Sequence, residues 1–175
     1  MNKKGISMVV VAAIVVIIIV VGAVAAYYVF FSGNGGNGEN DNGIEGASSL
    51  TFDVNATISG VEEFDKFTVK NLDTADIWLR VDQVDSQGNP FIYIMKQSGQ
   101  EAHANFAGEW TDVSADYATY ANSPYIGYVA LDGYIQELAN WSGTGNQEFT
   151  HNGDSFIISN IFVDPTVPDS IFSPE

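Results

Sequence analysis

From Ile6 to Phe31 the chain reads ISMVVVAAIVVIIIVVGAVAAYYVFF, an uncharged run interrupted only by Ser7 and Gly22. About 20 apolar residues cross the hydrocarbon core of a bilayer, so the run is long enough to span with tilt to spare. In lipid the backbone must satisfy itself, which makes helix the expected state despite the β-branched Val and Ile. Tyr27 and Tyr28 sit near the far end as interfacial aromatics do. Lys3 and Lys4 precede the run and no cation follows it closely, an asymmetry that predicts a cytoplasmic N-terminus and an extracytoplasmic remainder. The expected organisation is a tail over 1–5, a transmembrane signal-anchor helix over 6–31, a linker over 32–47 and a domain over 48–175.

Two processing alternatives stand beside a permanent anchor. Ala23-Val24-Ala25 has the small-x-small form of a signal-peptidase site, although cleavage there leaves YYVFF exposed. Lys3-Lys4-Gly5 before an apolar helix resembles the short basic leader of archaeal prepilins. That likeness implies a pilin-like or other structural cell-surface subunit.

Charge is distributed just as unevenly. The net charge is −16, and all 22 acids lie beyond the apolar run with only Lys66, Lys70, Arg80 and Lys96 among them. Such a surface repels phosphate backbones, which excludes nucleic acid as a partner. It is also the composition of proteins adapted to high salt, a reading that charge alone leaves open. The chain has no cysteine, hence no disulfide, thiolate metal site or thiol nucleophile.

Residues 32–47, SGNGGNGENDNGIEGA, hold one large apolar residue, Ile44, and read as a flexible tether. Glu39, Asp41 and Asn42 lack the glycine and distal glutamate of a calcium-binding EF-hand loop. Beyond them the hydrophobic period is two. Leu50, Phe52 and Val54 alternate with Thr51 and Asp53; Phe67 and Val69 flank Thr68; and Ile77, Leu79 and Val81 alternate with Trp78, Arg80 and Asp82. Ser86 to Pro90 is a turn signal, and strands over Phe91 to Lys96 and around Ala102 to Phe106 extend an antiparallel meander. Helices are expected over Ser114 to Asn122 and Tyr125 to Trp141, broken at Pro124, followed by a hairpin turning at Asn152-Gly153. The fold class is therefore α+β: an N-terminal transmembrane helix plus a curved, half-barrel-like antiparallel sheet covered by helices.

Catalytic signatures are not found. There is no G-x-S-x-G elbow, P-loop or H-E-x-x-H pair, and Gly143-Thr144-Gly145 reads as a helix stop. His103 and His151 stand far apart in sequence, and Glu62-Glu63, Asp73/Asp76 and Asp82/Asp85 read as solvated charge. The expectation is a protein that is not an enzyme and uses no cofactor or metal. Asn55-Ala56-Thr57 and Asn140-Trp141-Ser142 match the glycosylation acceptor, making Asn55 and Asn140 candidate modification sites.

Three stretches carry a family likeness: Phe91-Ile92-Tyr93-Ile94-Met95-Lys96, Gly108-Glu109-Trp110-Thr111-Asp112 and the closing Val163 to Phe172 with Pro165 and Pro168. Through them Leu50 to Phe172 resembles the LolA-like lipoprotein carriers and related lipid-binding envelope proteins. The resemblance implies an open, strongly curved sheet with helices plugging a concave, acyl-chain-binding face. An anchor in place of a free carrier, and the lack of the family's leading helix, favour an anchored binding, handover or scaffold role over shuttling. The partners implied are the bilayer through residues 6–31, an apolar or lipid ligand, or an envelope protein.

The strand Phe91 to Met95 is apolar on both faces, as is Phe156 to Val163, and Trp78 opposes the Ile77 row. With the resemblance, these features make Trp78, Phe91, Tyr93, Met95 and Phe156 the candidate ligand-binding residues, between sheet and helices. A filled interior gives the same pattern.

Overall fold

The computed structural model describes residues 44–174. Alternating side chains produce ten-residue strands at β1 (Ser49–Ile58) and β2 (Val61–Lys70). They are joined at Ser59-Gly60, where both residues have positive φ, 52° and 82°. That is the mirror-image turn whose twist matches the flanking strands. The meander continues through β3 (Trp78–Val84), β4 (Pro90–Lys96), β5 (Glu101–Phe106) and β6 (Glu109–Asp112). A 3-10 turn at Ser114–Asp116 leads into α1 (Tyr117–Ala121) and α2 (Tyr128–Leu138). The chain closes with β7 (Gln147–His151), β8 (Asp154–Val163) and a 3-10 turn at Asp169–Phe172.

All eight strands form one sheet in the order β6-β5-β4-β3-β2-β1-β8-β7, with every neighbouring pair antiparallel. The last hairpin returns to the free side of β1, so the first and last described strands pair with each other, and only β7 lies beyond them in the sheet. Register places Leu79 beside Val69 and Met95, and Val81 beside Phe67 and Tyr93. With Leu50, Phe52, Val54, Ala104 and Ile158 these form one apolar face, on which Ala130, Leu131, Tyr134 and Leu138 of α2 pack. Phe52 and Phe67, paired across strands, stack at 5.0 Å, and Tyr134 meets both edge-on at 5.8 and 5.2 Å. Aromatic pairs in these geometries add about 0.5–1.5 kcal/mol each beyond area burial. Ile44 and Ala47 are buried too, so the core reaches back into the stretch expected to be linker.

The opposite face has its own cover. The segment after β8 lies across β1, β2 and β3: the Ser49 hydroxyl donates to the Pro165 carbonyl at 2.9 Å, Lys70 to the Val167 carbonyl at 3.2 Å and Arg80 to the Ile171 carbonyl at 2.9 Å. Lys70 also pairs with Asp169. Phe172 is fully buried there, edge-on to Trp78 at 5.7 Å.

Several expectations are corrected. The α+β half-barrel covered by helices gives way to a mostly antiparallel β fold with two short helices, whose sheet is not curved into a barrel. Its outer strands, β6 and β7, have four and five residues against ten in β1 and β8, and no ladder joins them. The helices are shorter than the periodicity suggested: α1 has five residues, and α2 begins at Tyr128, after the extended Gly127, rather than at Tyr125. Among the described residues no helix is long and apolar enough to cross a membrane. Eleven residues, the length of α2, fall well short of the ~20 a span requires. The tail over 1–5 and the run from Ile6 to Phe31 lie outside the described residues. The described residues thus supply no spanning element, so the single-pass anchor finds no support in them, and neither do the roles built on it: bilayer contact through residues 6–31, the cytoplasmic and extracytoplasmic halves, the anchored lipid-binding or scaffold role and the pilin-like alternative.

Candidate binding cleft

The five residues singled out as a ligand site are divided by the fold. Phe91, Tyr93 and Met95 share the helix-side face of β4, where Met95 and Tyr93 are buried in the core. Phe91 and Tyr93 both lie edge-on to Phe106, at 5.7 and 6.0 Å. Phe156 lies on the same face but on β8, with three strands between it and β4 in the sheet order, or about 19 Å at the usual spacing of strands. It stacks on Phe149 at 4.8 Å. Trp78 is on the other face. Its indole N–H donates to Asp76 at 3.1 Å, its ring meets Phe172, and Lys70 and Lys96 stand 5.8 and 5.0 Å from its centroid.

Asn55 is exposed in the middle of β1, and Asn140 is exposed just past the end of α2. His103 pairs in register with Ile94 and Asp112, and His151 with Asp154 across the terminal hairpin. No group of three or more histidines and carboxylates able to hold a metal occurs among the described residues.

The side chains that do converge on open space come from elsewhere. A cleft of about 500 Å³ lies between the β4–β5 turn and α1, lined by Gln97, Gln100, Ser114, Tyr117, Asn122 and Tyr128, with Ala118 and Ala121 as its apolar wall. Three local structures hold it in place. The Ser114 hydroxyl accepts from the Ala102 N–H at 3.0 Å, pinning the 3-10 turn to β5. The Asn122 amide donates to the Ala118 carbonyl at 2.8 Å and closes α1. The Tyr128 hydroxyl donates to the Ile77 carbonyl at 2.9 Å, tying the first residue of α2 to the strand side. Gly127 lets α1 and α2 approach closely, because a Cβ there would stand 2.4 Å from the Tyr120 carbonyl oxygen and 2.5 Å from that of Ala121.

Tyr117 and Tyr128 share a hydrogen bond, and burial is the leading cause that pushes both phenols above their ordinary range. Both are therefore neutral at physiological pH. They offer hydroxyls and ring faces rather than phenolate bases. No charged side chain lines the cleft.

A second feature lies on the helix side of β2. Asp65 continues the phase of Phe67 and Val69 and so points into the interior, between Val54 and Gln83 in register. It is 5 % exposed, and its Oδ1 has no hydrogen-bond partner. Burial pushes its carboxyl up to about 7, with Glu63 adding to the rise and a hydrogen bond to Gln83 opposing it. Glu63, next along the same phase, is raised by burial and by Asp85.

Neither feature was singled out from the sequence. The only signal for the cleft in the sequence is a pair of tyrosines, Tyr117 and Tyr128, on either side of Pro124. For Asp65 the signal was an acid in the apolar phase of a strand. No protein-family model matches the chain, and no curated protein or solved structure is significantly similar to it.

Proposed function

We propose that this chain is a non-catalytic recognition module whose tyrosine and amide cleft takes a neutral, hydroxyl-rich ligand of the oligosaccharide class. The observation behind this reading is a cleft free of charged side chains in a chain of net charge −16. Ionic recognition has no counterpart there. Gln97, Gln100 and Asn122 offer paired donors and acceptors suited to adjacent hydroxyls, and Tyr117 and Tyr128 offer ring surface for a sugar's C–H face. A few placed polar groups beside apolar wall is the usual composition of a small-molecule site. Catalysis is disfavoured because no carboxylate, histidine or lysine reaches the cleft to act as acid, base or nucleophile.

Titration calorimetry of the full chain against neutral and anionic oligosaccharides tests this. Neutral ligands should bind and anionic ones should bind more weakly, since the surrounding surface repels them. Tyr117→Ala should weaken neutral binding at least about tenfold, or about 1.4 kcal/mol. Affinity should stay flat between about pH 5 and 9, because no group lining the cleft titrates in that window. Equal binding by Tyr117→Ala, or a preference for charged sugars, would refute the assignment.

A further inference from the structure

β8 is twice as long as its outer neighbour. Asp154 to Ile158 pair with β7, but the ladder ends at Gln147 opposite Ile158. From Ser159 to Val163 the strand pairs with β1 on one side only, among the described residues. This leaves a five-residue half-edge with no strand on its outer side among the described residues, the kind of edge that templates another strand. A shift in register between Thr51 and Asp53 of β1, facing Asn160 with its φ of 50°, marks a bulge that turns Phe162 outward. Phe162 is 58 % exposed, more than any other large apolar side chain described, and Val163 next to it is also exposed.

The geometry points to a second copy of this chain as the occupant: the Ser159–Val163 half-edges of two molecules pair antiparallel about a two-fold axis and continue the sheet from one to the other. Three observations favour a copy over a different partner. The first is charge. Phe156 to Val163 reads FIISNIFV, with no charged residue, in a chain carrying 22 acids, so two like-charged molecules meet here at least electrostatic cost. The acids that bracket the stretch are occupied at home: Asp154 accepts from the Ser59 N–H at 2.8 Å, and Asp164 from the N–H groups of Ser48 and Ser49 at 2.7 and 3.2 Å.

The second is fit. The open slot is bounded by the end of β7 at Gln147 and by Asp164, whose positive φ of 51° turns the chain away from the edge. Slot and inserting strand are the same five residues, so an antiparallel pairing centred on Ile161 fills both slots without displacing either β7. The third is self-complementarity. An edge related to itself by a two-fold axis matches donors with acceptors automatically, as an isologous interface requires. In that register Ser159 faces the partner copy's position 163, and Asn160 faces position 162, so each Phe162 is covered.

Because the chain contains no cysteine, introduced thiols report this contact without background. An oxidised equimolar mixture of full-length Ser159→Cys and Val163→Cys should give a disulfide-linked mixed dimer well beyond the roughly twofold excess over either homodimer that random pairing produces, since opposed residues in such a pairing lie within disulfide reach. Light scattering should give a dimer mass for the unmodified full chain, and Phe162→Lys should raise the dimer dissociation constant about tenfold or more. Lysine at so exposed a position leaves the fold intact, which an unchanged far-ultraviolet spectrum checks. An unenriched mixed disulfide, or a mass unaffected by Phe162→Lys, overturns the proposal. So does a monomer whose amides at 159–163 resist hydrogen exchange, an outcome that assigns the edge to another segment of the same chain.

Discussion

Replacing Asp65 by asparagine should stabilise the domain at pH 8 by up to about 4 kcal/mol and remove most of the fall in stability between about pH 4 and 7. The sign follows from where the proton sits. Unfolded, the carboxyl has its ordinary value of 3.8; folded, burial first and Glu63 second carry it up to about 7 against the Gln83 hydrogen bond. Between those values the folded state binds the proton and the unfolded state does not, so stability drops as pH rises through the window and levels off above it. Glu63, also raised, acts in the same direction.

The opposite trend comes from Asp76, Asp85, Asp112 and Asp164, whose hydrogen bonds lower their carboxyls; their contribution is complete above the ordinary carboxylate range and lost below it. Stability should therefore peak at about pH 4 to 5, below the neutral range. Urea denaturation of the wild type and Asp65→Asn at pH 4.5, 6 and 8 checks both statements. Parallel curves for the two proteins would show that Asp65 does not carry the effect.

Substituting Gly127 by alanine should cost about 3 kcal/mol or more and open the cleft. The backbone at Gly127 is extended with φ −94°, a conformation that alanine adopts freely, so the objection is space alone. The added Cβ would lie 2.4 Å from the Tyr120 oxygen, 2.5 Å from the Ala121 oxygen and 2.7 Å from the Ser123 nitrogen. All three are backbone atoms and cannot swing aside as a side-chain tip would. Relief requires α1 to move away from the start of α2. That breaks the bond from the Gly127 N–H to the Ser123 carbonyl, now 3.0 Å, and separates Tyr117 from Tyr128. Thermal unfolding should show a midpoint lower by several degrees, with amide exchange accelerated over α1 before the sheet is affected. A melting temperature within a degree of wild type would mean that the junction yields more easily than its geometry implies.

The strand pattern was legible because side-chain alternation is a local property. Leu50, Phe52 and Val54, then Leu79 and Val81, declare their inward phase with no knowledge of their neighbours, and each is fully buried. Asn152-Gly153 declares its turn by residue type. The turns at Ser59-Gly60 and Ala107-Gly108 have the same positive φ at both residues but begin with residues that do not advertise it. The helices are shorter than expected because their apolar spacing continues past the points where the backbone leaves the helix, at Gly127 before Tyr128 and after Leu138.

Alternation and residue type thus determined the strands of the first meander, since both depend on contacts a few residues apart. Partner choice was decided only in three dimensions. The return of β8 to β1, the closing segment laid over Trp78 and the division of the five candidate residues between strands and faces all arise from contacts between elements distant in the chain. At that separation a phase shows which side of a strand is apolar, but not whether a helix, the chain's own end or a cleft lies against it.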